Sequence, residues 1–115
     1  MGRAKALIET VGEDQEFEMA NFDPASTGLG YVVWFSGDPL TKHPGPRGHL
    51  RIKGKYYPFS IDGPVVWLAK AAPGVSSKEF QRLAEFVRLN RPALLAYWNG
   101  EIGTFGVVRL LQKLV

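Results

Sequence analysis

The pattern of hydrophobic and polar positions predicts strands in the first half of the chain. Residues 4–11 form a strand-like segment, and a turn-forming cluster, Gly12-Glu13-Asp14, separates it from residues 16–20. The second of these segments alternates polar and apolar positions, so the two predict a first hairpin with an acidic outer face. Residues 31–36 are β-branched and aromatic with apolar positions on both faces, which predicts a central strand.

Residues 48–53 and 55–62 predict a second hairpin around Lys53-Gly54. Its apolar positions are Leu50 and Ile52 in the first strand and Tyr57, Phe59 and Ile61 in the return strand. A loop with an even number of residues places Leu50 opposite Tyr57 and keeps both apolar sets on one face, whereas an odd loop separates them. The even loop is therefore predicted, and it turns the remaining side chains to the other face: His49, Arg51, Tyr56 and Ser60.

The last third of the chain predicts helices. Ser76 and Glu79 have the spacing of a capping box, and the apolar positions that follow have helical periodicity, so a helix is predicted over about residues 77–89. Pro92 is expected to interrupt or restart it, with a second short helix over 93–98 that ends at Asn99-Gly100. Residues 104–115 fit either a helix or a strand, residues 65–69 fit one more short strand, and residues 23–30 predict a loop.

Together these elements predict an α+β fold. We expect a mainly antiparallel sheet of four to six strands, with the C-terminal helical segment packed on one face. At 115 residues, the whole chain (1–115) is expected to form a single domain. The predicted core contains Leu50, Ile52, Tyr57, Phe59 and Phe80.

The charge is distributed unevenly, although the net charge of +3 is unremarkable. Residues 6–41 contain seven acidic residues and no basic one, whereas residues 42–115 contain twelve basic residues and four acidic ones. Two interpretations stay open at this point. Acidic and basic strands pair across the sheet and neutralise each other, or a basic face is free to bind an anion.

Composition excludes several kinds of site. The chain has no cysteine, which rules out disulfides, iron–sulfur clusters and thiolate zinc sites. No apolar run approaches the roughly 20 residues of a membrane helix, and the N-terminus lacks the apolar segment of a secretory signal. The Gly28-Leu29-Gly30 sequence lacks the lysine of a phosphate-binding loop. We expect a cytoplasmic protein with no cofactor and no membrane partner.

Residues 42–55 carry the candidate site, because they hold five basic residues, both histidines and no acid. The predicted anion-binding or partner-binding residues are Arg47, His49, Arg51, Lys53 and Tyr56. A metal site is not predicted, because neither histidine has the spacing of a ligand pair. No catalytic residues are assigned, although His43 and His49 have the chemistry of the acid and base of a metal-independent ribonuclease.

These residues are compatible with three alternative functions. The first is a non-catalytic protein-interaction or regulatory module, since no catalytic set is complete and the charge asymmetry suits steering of a partner protein. The second is binding of single-stranded nucleic acid through the basic strand face, with Tyr56 available for stacking. In that case Trp34 and Trp67 are still expected in the core. The third is the ribonuclease.

Residues 42–99 also carry a set of short motifs. They are His43-Pro44-Gly45-Pro46-Arg47-Gly48-His49, Val66-Trp67-Leu68-Ala69, Asn90-Arg91, Leu94-Leu95 and Trp98-Asn99. This half of the chain resembles a bacterial family of short domains, domain of unknown function four-one-six-zero. The resemblance implies a small α+β unit and a role in a two-gene, toxin–antitoxin-like arrangement. Arg47 stands where that family tends to have a second histidine, so a function that needs a histidine pair there is not implied.

Overall fold

The computed structural model describes residues 6–10, 18–37 and 45–114. It contains five strands: β1 (Ala6–Thr10), β2 (Glu18–Phe22), β3 (Val32–Gly37), β4 (Arg47–Ile52) and β5 (Lys55–Ser60). It contains three helices: α1 (Pro24–Thr27), α2 (Ser77–Trp98) and α3 (Thr104–Leu110). In these described ranges no helix is long and apolar enough to cross a membrane.

The strands form one antiparallel sheet in the order β1-β2-β3-β4-β5, so each strand pairs with its neighbours in sequence. The predicted α+β fold is confirmed, and β3 is the central strand, as its two apolar faces predicted. β1 and β2 pair antiparallel, as predicted for the first hairpin, and the predicted turn between them lies outside the described residues. Its expected acidic outer face concerns side chains outside the described part of the structure.

The core lies between the sheet and α2. Aromatic rings from both layers meet there, and Phe35 of β3 stacks on Phe86 of α2 with ring centroids 6.4 Å apart. The most deeply buried core residues are Ala20, Phe22, Val33, Phe35, Leu50, Phe59, Ile61, Phe86, Val87, Leu94, Tyr97 and Val107. Of the predicted core, Leu50 and Phe59 are fully buried. The others, Ile52, Tyr57 and Phe80, are partly buried and pack against the edge of this cluster.

The predicted register of the second hairpin is confirmed. Leu50 lies opposite Tyr57, and a two-residue loop joins β4 to β5. Both loop residues have positive φ, 51° at Lys53 and 78° at Gly54. Positive φ at both central positions is the geometry of a type I′ turn, whose twist matches that of the flanking strands. This turn fixes which face each side chain of β4 occupies.

The prediction that the helix is interrupted or restarted at Pro92 is wrong, because α2 is continuous from Ser77 to Trp98. Proline removes one backbone donor, which leaves the carbonyl of Arg88 without its usual helical partner. Both of these residues are on the exposed side of α2, where water can solvate that carbonyl. The ends were predicted correctly: Ser76 and Glu79 form the capping box, and Asn99 is the C-terminal cap.

Two shorter segments differ from what the sequence predicted, and a third had been left ambiguous between helix and strand. The predicted loop 23–30 contains the one-turn helix α1, whose first turn is capped by the side chain of Asp23. Residues 65–69 do not form a strand but make a single bridge, between Trp67 and Phe59. The ambiguous C-terminal segment begins with α3 and continues without regular structure to residue 114.

Candidate functional site

The face of the sheet opposite α2 brings most of the predicted site residues together. Because side chains alternate along a strand, Gly48 and Leu50 point to the core while Arg47, His49 and Arg51 point to the opposite side. Their neighbours on β3 and β5 follow from the register. We call this surface the outer face and define it by Val32, Trp34, Arg47, His49, Arg51, Tyr56, Pro58 and Ser60.

The exposed part of the outer face is an arginine and a tyrosine directly across from each other. Arg51 is paired with Tyr56 in the register, and its Cζ atom lies 5.9 Å from the centroid of the tyrosine ring. Tyr56 is 45% exposed, which is unusual for a large aromatic side chain. Lys53 lies at the end of the row, exposed in the turn. These three residues are accessible to a partner.

Ser60 is on the same face but is not available for binding. Its hydroxyl donates to the carbonyl of Pro64 at 2.8 Å and accepts from the amide of Val66 at 3.0 Å. The side chain therefore serves to hold the segment after β5 against the sheet. Its outward orientation was predicted correctly, but its role is structural.

The interpretation that acidic strands neutralise this face is wrong for the described strands. The acidic hairpin strand β2 pairs with β3, not with β4. The cross-strand neighbours of Arg51 are Val32 and Tyr56, whereas Glu18 lies in register with Gly37 and Thr10. Among the residues that the structure describes, no acid lies directly across from Arg47, His49 or Arg51. Glu16 is outside that part of the chain.

Trp34 is a candidate site residue that the sequence analysis had assigned to the core. It is only 2% exposed, as expected of a core residue, but it lies on the outer face, directly opposite His49. Its ring meets Tyr56 edge-on, with centroids 5.8 Å apart. Since these two residues belong to β3 and β5, their rings meet above the intervening strand β4. His49 also contacts Tyr56 edge-on at 6.2 Å, so three rings form one cluster.

Three polar atoms on the outer face are buried and have no hydrogen-bond partner within residues 6–10, 18–37 and 45–114. They are Nε1 of Trp34, Nε of Arg47 and Nδ1 of His49. Among the described residues, these are the buried side-chain nitrogen and oxygen atoms without a partner. The three residues are adjacent on the outer face of the sheet. Trp34 is opposite His49, and Arg47 is the next residue on the same face of β4. Since at least about 90% of buried polar groups are normally satisfied, their concentration here marks an unusual site.

His49 is held in its neutral form more strongly than an exposed histidine. Burial lowers its pKa below the ordinary value of 6.5, and the positive charge of Arg47 lowers it further. The sequence alone suggested that protonation near pH 6.5 would strengthen anion binding. The structure moves that transition to a lower pH, so Arg47 and Arg51 supply the positive charge of the strand near neutral pH.

The ribonuclease hypothesis depends on a residue outside the described ranges, His43, so the geometry of the histidine pair is not established. Among the described residues, no group of three potential ligands is placed to hold a metal ion.

The helical residues that carried the family resemblance have structural roles. The side-chain Nδ2 of Asn90 donates to the backbone carbonyls of Phe86 and Gln112, and its Oδ1 accepts from the backbone N–H of Gln112. Arg91 donates to the carbonyls of Ile61 and Gly63. These residues fix the C-terminal segment and the turn after β5 onto α2. The hydrogen bonds of Asn90 and Arg91 therefore give these two residues a structural role, and they do not indicate a second binding site.

A separate cavity of about 220 Å³ lies between the sheet and the first turns of α2. The polar groups around it are already used locally. Glu79 accepts from the Ser76 amide in the capping box, and this bond together with one from Tyr31 lowers the pKa of its carboxyl group. Arg82 donates to the carbonyl of Gly28 at 2.9 Å. The outer face is therefore the better candidate site.

Comparisons with protein-family models, with curated proteins and with solved structures found no match to this chain.

Proposed function

We propose that this protein is a non-catalytic binding module whose outer face binds an acidic partner protein. The observation that carries the proposal is the row formed by Arg47, His49 and Arg51. It has no acid directly across from it in the described strands and lies beside an exposed tyrosine. Unopposed positive charge attracts an acidic partner and sets its orientation.

The residues around the row favour a protein as the partner. Arginine, tyrosine and tryptophan are the residue types most enriched at the energetic centres of protein interfaces. Two aliphatic side chains are also exposed in the segment that pairs with the end of β5, Val66 at 50% and Leu68 at 41%. Leu68 lines a cavity of about 300 Å³ together with Arg47 and Asp62. A protein surface with acidic and apolar side chains matches this mixture.

The family resemblance adds a hypothesis about which protein this is. Relatives of that kind suggest a partner encoded by a neighbouring gene in a toxin–antitoxin-like pair. The outer face supports such a pairing because charge complementarity allows two small proteins to find each other rapidly.

Single-stranded nucleic acid is the second candidate. The observation in its favour is the exposed ring of Tyr56 next to the guanidinium of Arg51, since stacking on an aromatic side chain beside a cation is how such proteins hold bases. Two to three phosphate contacts would give a log–log salt dependence of about −1.4 to −2.1, at about −0.7 per phosphate.

The test is affinity capture from the source cell with three forms of the protein, followed by binding measurements with the purified partner. Arg51→Glu reverses a charge on the outer face, and Arg88→Glu reverses an exposed charge on α2 as the matched control. We expect Arg51→Glu to weaken binding of the captured protein by about tenfold or more, while Arg88→Glu does not.

Equal loss in both variants would indicate a general charge effect and contradict the proposal. Capture that nuclease treatment abolishes would favour the nucleic-acid candidate instead.

A further inference from the structure

The three unpartnered polar atoms of the outer face point to a specific ligand group. The indole Nε1 of Trp34 and the Nε of Arg47 are hydrogen-bond donors and never acceptors. Both are buried and have no acceptor among the residues that the structure describes. A buried donor is normally paired, so its acceptor is expected outside the part of the chain that the structure describes.

The rigidity of the site favours a preorganised arrangement. Trp34 is 2% exposed and held edge-on by Tyr56, and His49 lies directly across the strand pair from it. Arg47 is diagonal to Trp34 in the sheet, a separation that long side chains bridge. Arg47 also lines a cavity of about 300 Å³ at the start of β4, so a ligand in that cavity reaches Arg47. Asp62 lines the same cavity.

The charge of the site distinguishes between two kinds of oxyanion. His49 is neutral near pH 7, because burial and Arg47 both lower its pKa. Of the three residues Trp34, Arg47 and His49, Arg47 alone is then charged. One guanidinium balances the single negative charge of a carboxylate, and its planar edge matches the two carboxylate oxygens. A phosphate group carries up to two negative charges and would be only partly balanced.

We infer that Trp34, Arg47 and His49 form a recognition site for a carboxylate group, an aspartate or glutamate side chain of the partner protein. In this site the indole and guanidinium N–H groups donate to the carboxylate oxygens. The inference rests on the proposed function, because it assigns the chemical group by which an acidic partner is recognised.

The experiment is a titration of the isotope-labelled protein with sodium acetate, followed by NMR at the indole N–H and arginine Nε–H resonances. We expect a saturable downfield shift of the Trp34 indole proton and of the Arg47 Nε proton. The other two tryptophans, Trp67 and Trp98, are internal controls whose indole signals should not move. Inorganic phosphate at the same ionic strength should produce a smaller shift.

Two substitutions separate hydrogen bonding from charge and packing. Trp34→Phe removes the donor but keeps an aromatic ring, and Arg47→Lys keeps the charge but removes the Nε donor. Each should weaken acetate binding by about tenfold, which corresponds to about 1.4 kcal/mol. Thermal unfolding of each variant establishes that it is folded before titration.

The result that overturns the inference is an unmoved Trp34 indole signal in folded protein, which would mean that water satisfies these donors. A stronger response to phosphate than to acetate would also overturn it. The outcome is distinguishable from failure of the proposed function. If a captured partner binds Trp34→Phe and Arg47→Lys normally but not Arg51→Glu, the proposed function stands and the carboxylate site does not.

Discussion

Replacing Gly48 with alanine should destabilise the protein, although alanine is usually the better residue in a strand. Gly48 lies in β4 between its two cross-strand neighbours, Phe35 and Phe59. A Cβ atom at this position would lie 2.6 Å from Cζ of Phe59 and 2.8 Å from Cε1 of Phe35. Both rings are fully buried, and Phe35 is stacked against Phe86, so neither ring can move aside freely.

The magnitude follows from two opposing effects. Inserting a methyl group into a well-packed core costs about 1–3 kcal/mol of unfolding free energy. Removing a glycine stabilises by about 0.4–1 kcal/mol, because the unfolded chain loses conformational freedom. The clash involves the rigid rings of Phe35 and Phe59, so we expect the cost to exceed the gain and leave a net loss of about 1–2 kcal/mol. For a chain of this size the loss lowers Tm by roughly 4–8 °C.

Urea unfolding followed by circular dichroism measures this loss, and Gly30→Ala is the matched control. A Cβ atom at Gly30 meets no atom within 4 Å. That control should change stability by less than about 0.5 kcal/mol. Phe59→Leu removes the ring atom closest to the new methyl group, so Gly48→Ala should cost less in that background. Equal stability of the Gly48→Ala and Gly30→Ala variants would refute the close approach of the rings.

Two further predictions concern the C-terminal segment and pH. Asn90→Ala removes three hydrogen bonds and should lower the free energy of unfolding by about 2 kcal/mol. Hydrogen exchange should then accelerate at the backbone N–H of Gln112. Unchanged protection of that group would contradict the role of Asn90. The pKa of His49 is lowered in the folded state, so the unfolded state binds more protons as pH falls below 6.5. Stability that is fully present above that pH is therefore lost as pH falls toward the folded-state pKa. Urea midpoints from about pH 7.5 to about pH 5.5 should decline more steeply in the wild type than in His49→Gln, and parallel declines would be inconsistent with a buried neutral imidazole.

The sequence was informative where the alternation of side chains had one consistent solution. In the second hairpin only an even loop keeps Leu50 and Tyr57 on one face, and the structure has that register. The same reasoning could not assign Trp34 to a face of the sheet. Because β3 is apolar on both sides, its sequence does not show which alternate positions face the core. The position of Trp34 opposite His49 depends on the pairing of β3 with β4, which periodicity within one strand does not encode.

The helical part shows a different limit. The caps at Ser76 and Asn99 are local signals, and they marked both ends of α2 correctly. Tertiary contacts support the continuation through Pro92, since the two residues directly before it, Asn90 and Arg91, are hydrogen-bonded to distant backbone. Local sequence therefore identified a helix breaker, while the surrounding contacts held the helix together.

The strand order has a consequence for synthesis of the protein. All five strands pair with sequence neighbours, so the sheet can assemble hairpin by hairpin as the chain leaves the ribosome. The helix that covers its apolar face is made afterwards. The last strand ends at Ser60 and α2 ends at Trp98, so 38 further residues are added before the helix is complete. At about 5–20 residues per second, the nascent sheet has no helical cover for about 2–8 s. During that interval the apolar face is a substrate for chaperones and a site for aggregation between nascent chains.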